Sequence, residues 1–216
     1  MQKTALDDVD PDRIGSDSDR YRLAERLGAT NVAINRYRVA PGDGFPGGLH
    51  AHGDQEEAFV VLEGEATFET YDPRPDESDG ADGTDGADGA DGANTGEAGE
   101  VVVGAGEAIR FAPGEFQSGR NEADGDLVAL ALGAPRDSED VRIPVTCPDC
   151  GREGLRMDAD EEGPLLGCPD CGGERVPEPC PDCGRGDLRV ALDDGGRTVV
   201  RCPGCGSEFE DAPLGD

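Results

Sequence analysis

The stretch Leu49–Phe68, LHAHGDQEEAFVVLEGEATF, holds both histidines of a 216-residue chain. They stand one residue apart, and on extended backbone residues i and i+2 point to one face, so His50 and His52 form a fork aimed in one direction. Two neutral imidazoles on one face are a ready pair of ligands for a divalent transition metal. The rest of the stretch, FVVLEGEATF, is two strand-length segments broken by a glycine, which is a β signal and not a helical one.

The same texture spreads outward from it. NVAINRYRVAPGDG from Asn31, EVVVGAGEAIRFAPGEF from Glu100 and GDLVALALG from Gly125 are short apolar segments bounded by Gly and Pro, and no 3.6-residue period crosses any of them. They predict an all-β domain of the sandwich or small-barrel type over residues 31–133. Residues 1–30 read as a polar N-terminal segment, with YRLAERLG as a helical turn or an irregular strand. Residues 72–99 interrupt the domain with Asp-Gly-Ala triplets between Asp79 and Ala93. Glycine at every third place without proline cannot build a collagen helix, so a disordered acidic insertion is expected there. Residues 134–146 read as a linker.

The residues around the histidines resemble the cupin superfamily, whose first motif runs G-x5-H-x-H-x3-4-E-x6-G. Gly44, His50, His52, Glu57 and Gly64 fill it. Glu56 also lies at a permitted distance from His52, but only Glu57 leaves six residues before Gly64. The second motif, G-x5-P-x-G-x2-H-x3-N, is approached by GEAIRFAPGEFQSGRN, with Gly106, Gly114 and Asn121 in register. Two positions depart from it: Ala112 stands in the proline place with Pro113 one step late, and Gln117 stands where the family has its third metal-binding histidine. The resemblance covers roughly residues 30–133 and implies a double-stranded β-helix barrel with the motif residues facing inward, and commonly a homodimer.

The chemistry can be argued beside the resemblance. His50, His52 and Glu57 offer two nitrogens and one oxygen to Fe, Mn, Ni or Zn and leave positions open for water or ligand. Gln117 brings an uncharged amide oxygen, a poorer donor, or instead a hydrogen bond to a group on the metal. The opposing reading is a barrel that has lost its metal, with both histidines satisfied by ordinary hydrogen bonds. No nucleophile presents itself, and a general base would have to be a carboxylate or a metal-bound hydroxide.

All eight cysteines follow residue 146, in four C-P-x-C pairs. Taken in order they give C-x2-C-x17-C-x2-C from Cys147, Cys150, Cys168 and Cys171, and C-x2-C-x18-C-x2-C from Cys180, Cys183, Cys202 and Cys205. That is zinc-ribbon spacing, repeated, and it predicts units at 147–176 and 177–210. Four thiolates close the coordination sphere, so two structural zinc ions are expected, with rubredoxin-like iron as the alternative. Pieces of about 30 residues cannot fold on apolar burial, and metal binding of order 10 kcal/mol would replace it. A reversible disulfide does not explain the doubled spacing.

Charge limits the partners. The chain carries 49 acids against 19 bases, a formal net charge of -30, and Lys3 is its one lysine. Such a surface suits a salt-rich environment and repels nucleic acid and anionic membranes. The part from Cys147 onward has 17 acids and 7 arginines, net -10, which removes the attraction that nonspecific DNA binding requires. MQKTALDDVDPDR is no basic-apolar signal, and no run of 18 apolar residues occurs, so a cytoplasmic protein is expected. The whole reads as a metal-binding barrel for a small-molecule ligand, a sensing module whose ribbons contact a protein partner. The alternative is a metal-dependent isomerase or oxygenase acting on a small acid or sugar.

Overall fold

The computed structural model describes residues 1–73, 96–159 and 163–215. The triplets between Asp79 and Ala93, read as a disordered insertion, lie outside the described residues. In chain order the strands are β1 (Asp12–Arg13), β2 (Asp19–Arg22), β3 (Ala33–Val39), β4 (Ala51–His52), β5 (Glu56–Glu63), β6 (Glu65–Asp72), β7 (Glu97–Gly104), β8 (Ala108–Phe111), β9 (Phe116–Arg120), β10 (Leu127–Ala134), β11 (Val141–Thr146), β12 (Glu153–Ala159), β13 (Pro164–Gly167), β14 (Glu174–Pro177), β15 (Arg189–Leu192), β16 (Thr198–Arg201), β17 (Glu208–Phe209) and β18 (Leu214–Gly215). The one α-helix described, α1 (Leu23–Leu27), is capped by Gly28 at φ 64°. No helix among the described residues is long and apolar enough to cross a membrane.

One sheet of the barrel runs β1-β2-β3-β10-β5-β8 and the other is built on β7-β6-β9, with all pairs antiparallel. Alternation decides which side chains meet between them. Tyr37 and Val39 on β3, Phe59 and Val61 on β5, Phe111 on β8 and Leu127, Ala129 and Ala131 on β10 face Ala66 and Phe68 on β6 and Val103 on β7. Phe45 joins Tyr37, Phe59 and Phe68 with ring centroids 5.1, 5.0 and 5.9 Å away. Gly64 makes the tight β5–β6 turn at φ 75°, where a Cβ would meet the Asp126 carbonyl oxygen at 2.6 Å. Asn121 is buried and uses its side chain as a brace, donating to Val39 O and Gly125 O at 2.8 Å each and accepting from Ala123 N at 3.1 Å.

Three boundaries differ from the sequence expectation. The first sheet begins before residue 31: β2 pairs with β3 from Asp19↔Arg38 to Arg22↔Asn35, and the buried Asp19 carboxylate accepts from Arg38 at 2.7 Å. YRLAERLG is neither of the two expected forms throughout, since Tyr21–Arg22 end β2 and Leu23–Leu27 are helical. The 134–146 stretch is no free linker either. Its last six residues are β11, paired with β4 (Val141↔His52, Arg142↔Ala51) and with β12. The strand forms because Val141, Ile143 and Val145 alternate and complete the exposed edge of β4. Nor does the second cysteine unit end at 210, since β18 returns to pair with β14 of the first.

These pairings put the cysteine units against the barrel. One sheet runs β18-β14-β13-β12-β11-β4 without a break. A second core gathers Leu49, Ala51, Tyr71 and Phe116 of the barrel, Val145, Cys147, Leu155, Leu166 and Cys168 of the first unit, and Val190, Leu192 and Val200 of the second. Tyr71 crosses the junction to donate to Glu153 Oε1 at 2.5 Å.

Candidate metal centres

Each cysteine knuckle repeats one backbone pattern. In the first pair the Gly151 amide donates to Cys147 O at 2.9 Å and the Cys147 amide to Arg152 O at 2.7 Å. The other three pairs repeat this with Gly172, Gly184 and Gly206. These glycines lie at φ 72–78°, the left-handed turn that their place after each second cysteine predicts. All eight cysteines are free thiols, one buried and one exposed in each pair. Sulfurs approach at 3.7 Å (Cys147–Cys171), 3.6 Å (Cys150–Cys168), 3.7 Å (Cys180–Cys205) and 3.5 Å (Cys183–Cys202). A tetrahedral zinc with 2.3 Å bonds needs edges of about 3.8 Å. Both four-cysteine sets therefore fit structural zinc.

The barrel site follows from alternation on three strands. On β5, Glu57 points the same way as the core residues Phe59 and Val61. On β9, Gln117 points the same way as Gly119, whose hydrogen faces Phe45 and Phe68. His50 and Gln117 exchange both backbone hydrogen bonds across the sheet, 3.1 and 2.9 Å, which puts their side chains together. His50 and His52 share one face, with rings 5.0 Å apart and near perpendicular.

One donor atom each from His50, His52 and Glu57 lies within 4.8 Å of the others. His52 Nε2 is 4.0 Å from Glu57 Oε2, somewhat wider than the roughly 3–3.5 Å of donors that share a cation. His50 Nδ1 is 2.8 Å from the Gly48 carbonyl, so that nitrogen carries the proton and Nε2 is left as the acceptor. His52 Nδ1 is buried with no hydrogen-bond partner among the described residues. Burial pushes the His50 pKa down, and burial with the neighbouring His50 pushes His52 down to about 4, so both rings are neutral at physiological pH. Burial pushes the Glu57 carboxyl up to about 7 against the hydrogen bond from Gln117 Nε2, 3.0 Å long. A buried carboxylate beside two neutral imidazoles lacks a positive charge, and a divalent cation supplies one. The donor set thus fits a metal.

Gln117 was expected among the ligands. Its amide nitrogen is spent on Glu57, which fixes the carboxylate and leaves any contact of Gln117 with a cation to its oxygen. Tyr37 and Ser118 were not singled out from sequence, yet both line the cavity beside these groups, together with Phe45, Pro46, Gly48, His50, Glu57, Phe59, Gln117 and Gly119. The signal for Tyr37 was present in its alternation with Val39. Glu56 points outward to Arg110, as the motif spacing required. Glu69 is half-buried and pairs at 2.7 Å with Arg120, which also holds Glu100 and Glu122 at 3.0 Å each.

No family model matches the chain, and no curated protein matches it. Solved structures do. A sugar phosphate isomerase of the cupin superfamily from Silicibacter pomeroyi aligns over 79% of this chain and 94% of its own, at 18% identity and a TM-score of 0.51. A Klebsiella pneumoniae protein with a double-stranded β-helix domain aligns over 64% of this chain and 93% of its own, at 13% identity and a TM-score of 0.42. An oxalate decarboxylase from Lactobacillus farciminis aligns over 62% of this chain and 33% of its own, at 15% identity and a TM-score of 0.43. At such identities the likeness speaks of fold, and the first carries it. The chain is a nearly all-β protein whose barrel has the double-stranded β-helix fold of the cupin superfamily, extended by two four-cysteine units.

Proposed function

We propose that the barrel binds a small ligand on a divalent transition metal held by His50, His52 and Glu57, and that this occupancy is its function as a sensing module. The observation that carries the reading is the convergence of one donor atom each from His50, His52 and Glu57 within 4.8 Å, the carboxyl among them buried. The metal, when bound, supplies a Lewis-acidic position for an anionic or carbonyl oxygen. Glu57 balances its charge, Gln117 holds Glu57, and the Gly48 carbonyl holds His50 in the ligating tautomer.

The cavity beside these groups is about 40 Å³. A water needs about 10–15 Å³ by that measure, so the space suits about three water-sized groups, the size of a small carboxylate. Phe45, Phe59 and Pro46 supply the apolar part of its walls, and His50, Glu57, Gln117, Ser118 and Tyr37 the polar part. Tyr37 is the titratable group there besides the ligands, and burial raises its pKa, so it donates a hydrogen bond and does not abstract protons. Tyr37 is thus placed to donate to a ligand oxygen rather than to act as a base.

Metal analysis tests the reading. The wild type should carry one equivalent beyond the two held by thiolates, and His50→Ala/His52→Ala should lose only that one. A small carboxylate such as formate or glycolate should raise the melting temperature of the loaded wild type, and no product should form. Finding two equivalents in both proteins would end the proposal, and metal-dependent turnover abolished by His52→Ala would replace it with the enzyme reading.

A further inference from the structure

The histidine loop is gripped from outside the barrel. The Leu49 amide donates to the Val190 carbonyl of β15 at 2.8 Å. Next to it Gly48 sits at φ 68°, and a Cβ there would lie 2.9 Å from the same carbonyl oxygen and 3.2 Å from Arg189 Cβ, so β15 lies directly on the Gly48 backbone. The Gly48 carbonyl in turn accepts from His50 Nδ1 at 2.8 Å. Below the loop, Leu49 is fully buried among Val190, Leu192 and Val200. β15 belongs to a sheet of three short strands, β15-β16-β17, in which β15 starts six residues after Cys183, β16 runs into Cys202 and β17 follows Cys205. A unit of this size keeps its shape through its metal.

We infer that the second four-cysteine unit is a clamp on the barrel site: metal bound by Cys180, Cys183, Cys202 and Cys205 fixes β15, and the Val190 carbonyl fixes the Gly48–Leu49 backbone that orients His50. Val190 is thus a positioning residue acting through its main chain, and occupancy of a thiolate site far along the chain regulates the imidazole site. The effect on metal affinity rests on the barrel-metal reading above; the effect on the loop does not. Losing a partner that orients a ligating imidazole weakens metal binding by about 10–100-fold.

The test uses the full chain, as wild type, Cys183→Ser/Cys205→Ser, and Leu192→Ala, which keeps all eight thiolates and loosens only the packing. Hydrogen exchange is followed by mass spectrometry over residues 46–53. Mn2+ binding is read from its paramagnetic resonance signal, because Mn2+ favours nitrogen and oxygen donors and leaves zinc in the thiolates. The expected result is at least tenfold faster exchange at 46–53 and at least tenfold weaker Mn2+ binding with an altered bound signal in the double serine variant, the same in smaller degree in Leu192→Ala, and unchanged protection over β3, β5 and β10. Unchanged exchange at 46–53 in both variants overturns the clamp. Loss of protection across β3, β5 and β10 in both also overturns it, since the unit would then support the barrel as a whole. If the wild type binds no Mn2+ while exchange at 46–53 responds, the clamp stands and the barrel-metal reading falls.

Discussion

Glu57→Gln should make the metal-free protein more stable at alkaline pH while destroying its metal site. Glu57 has a side chain only 18% exposed, and burial lifts its carboxyl to about 7. A carboxyl raised on folding stabilises below its unfolded value and loses that contribution as pH rises through the folded one. The gap between about 7 and the ordinary 4.5 corresponds to about 3 kcal/mol withheld from the metal-free wild type above pH 7. Glutamine keeps the shape and can still accept from Gln117, and it never ionises. His52, held near 4, adds an opposite slope, but it is common to both chains and cancels in their difference. Calorimetry on protein carrying two zinc equivalents and nothing further should therefore show equal stabilities near pH 4. The variant should lead progressively from pH 4.5 to 7 and level off about 6–12 °C higher in melting temperature. Adding Mn2+ should then stabilise the wild type and leave the variant unmoved. A difference that does not change with pH, or a wild type that is the more stable metal-free form at pH 8, would refute the buried-carboxyl argument.

Metal uptake by the barrel should weaken about tenfold for each pH unit below 7, down toward the His52 value near 4, because one proton must leave Glu57 for each ion bound; titrations at pH 5, 6 and 7 check the slope. Gly47→Ala should lower Mn2+ affinity at least tenfold with the barrel strands still protected from exchange, since Gly47 has φ 112° and a Cβ would press on the His50 ring at 3.1 Å. Tyr71→Phe removes the 2.5 Å bond to Glu153 at the junction of barrel and ribbon, and should cost about 1–3 kcal/mol by calorimetry, more at pH 8 than at pH 4 because burial already disfavours the ionised Glu153.

The barrel was legible because its information is local. Alternation in EAFVVLE places Glu57 with Phe59 and Val61, the glycine at 64 marks the turn, and the His-x-His spacing makes a fork. The knuckles were legible for the same reason, each being a five-residue pattern that carries its own glycine. What escaped was decided by distant partners. Val141, Ile143 and Val145 are three apolar residues between an acidic tract and a cysteine, too few to announce β11, and only the open edge of β4 makes them a strand. The contact of β15 with Gly48 and Leu49 runs through main-chain atoms, which have no residue-type signature. Gln117 was visible as a departure from a motif, but its bond to Glu57 needed the register of β9 against residue 50.

The bond between Leu49 and Val190 joins positions about 140 residues apart, and β4 waits almost 90 residues for β11. On the ribosome the two imidazoles therefore emerge long before the segments that seat them, and the barrel must spend that interval with one rim open. Closing so large a loop is slow. A nascent chain of this kind gains from a surface dense in carboxylates, which discourages neighbouring copies from pairing with the waiting strand.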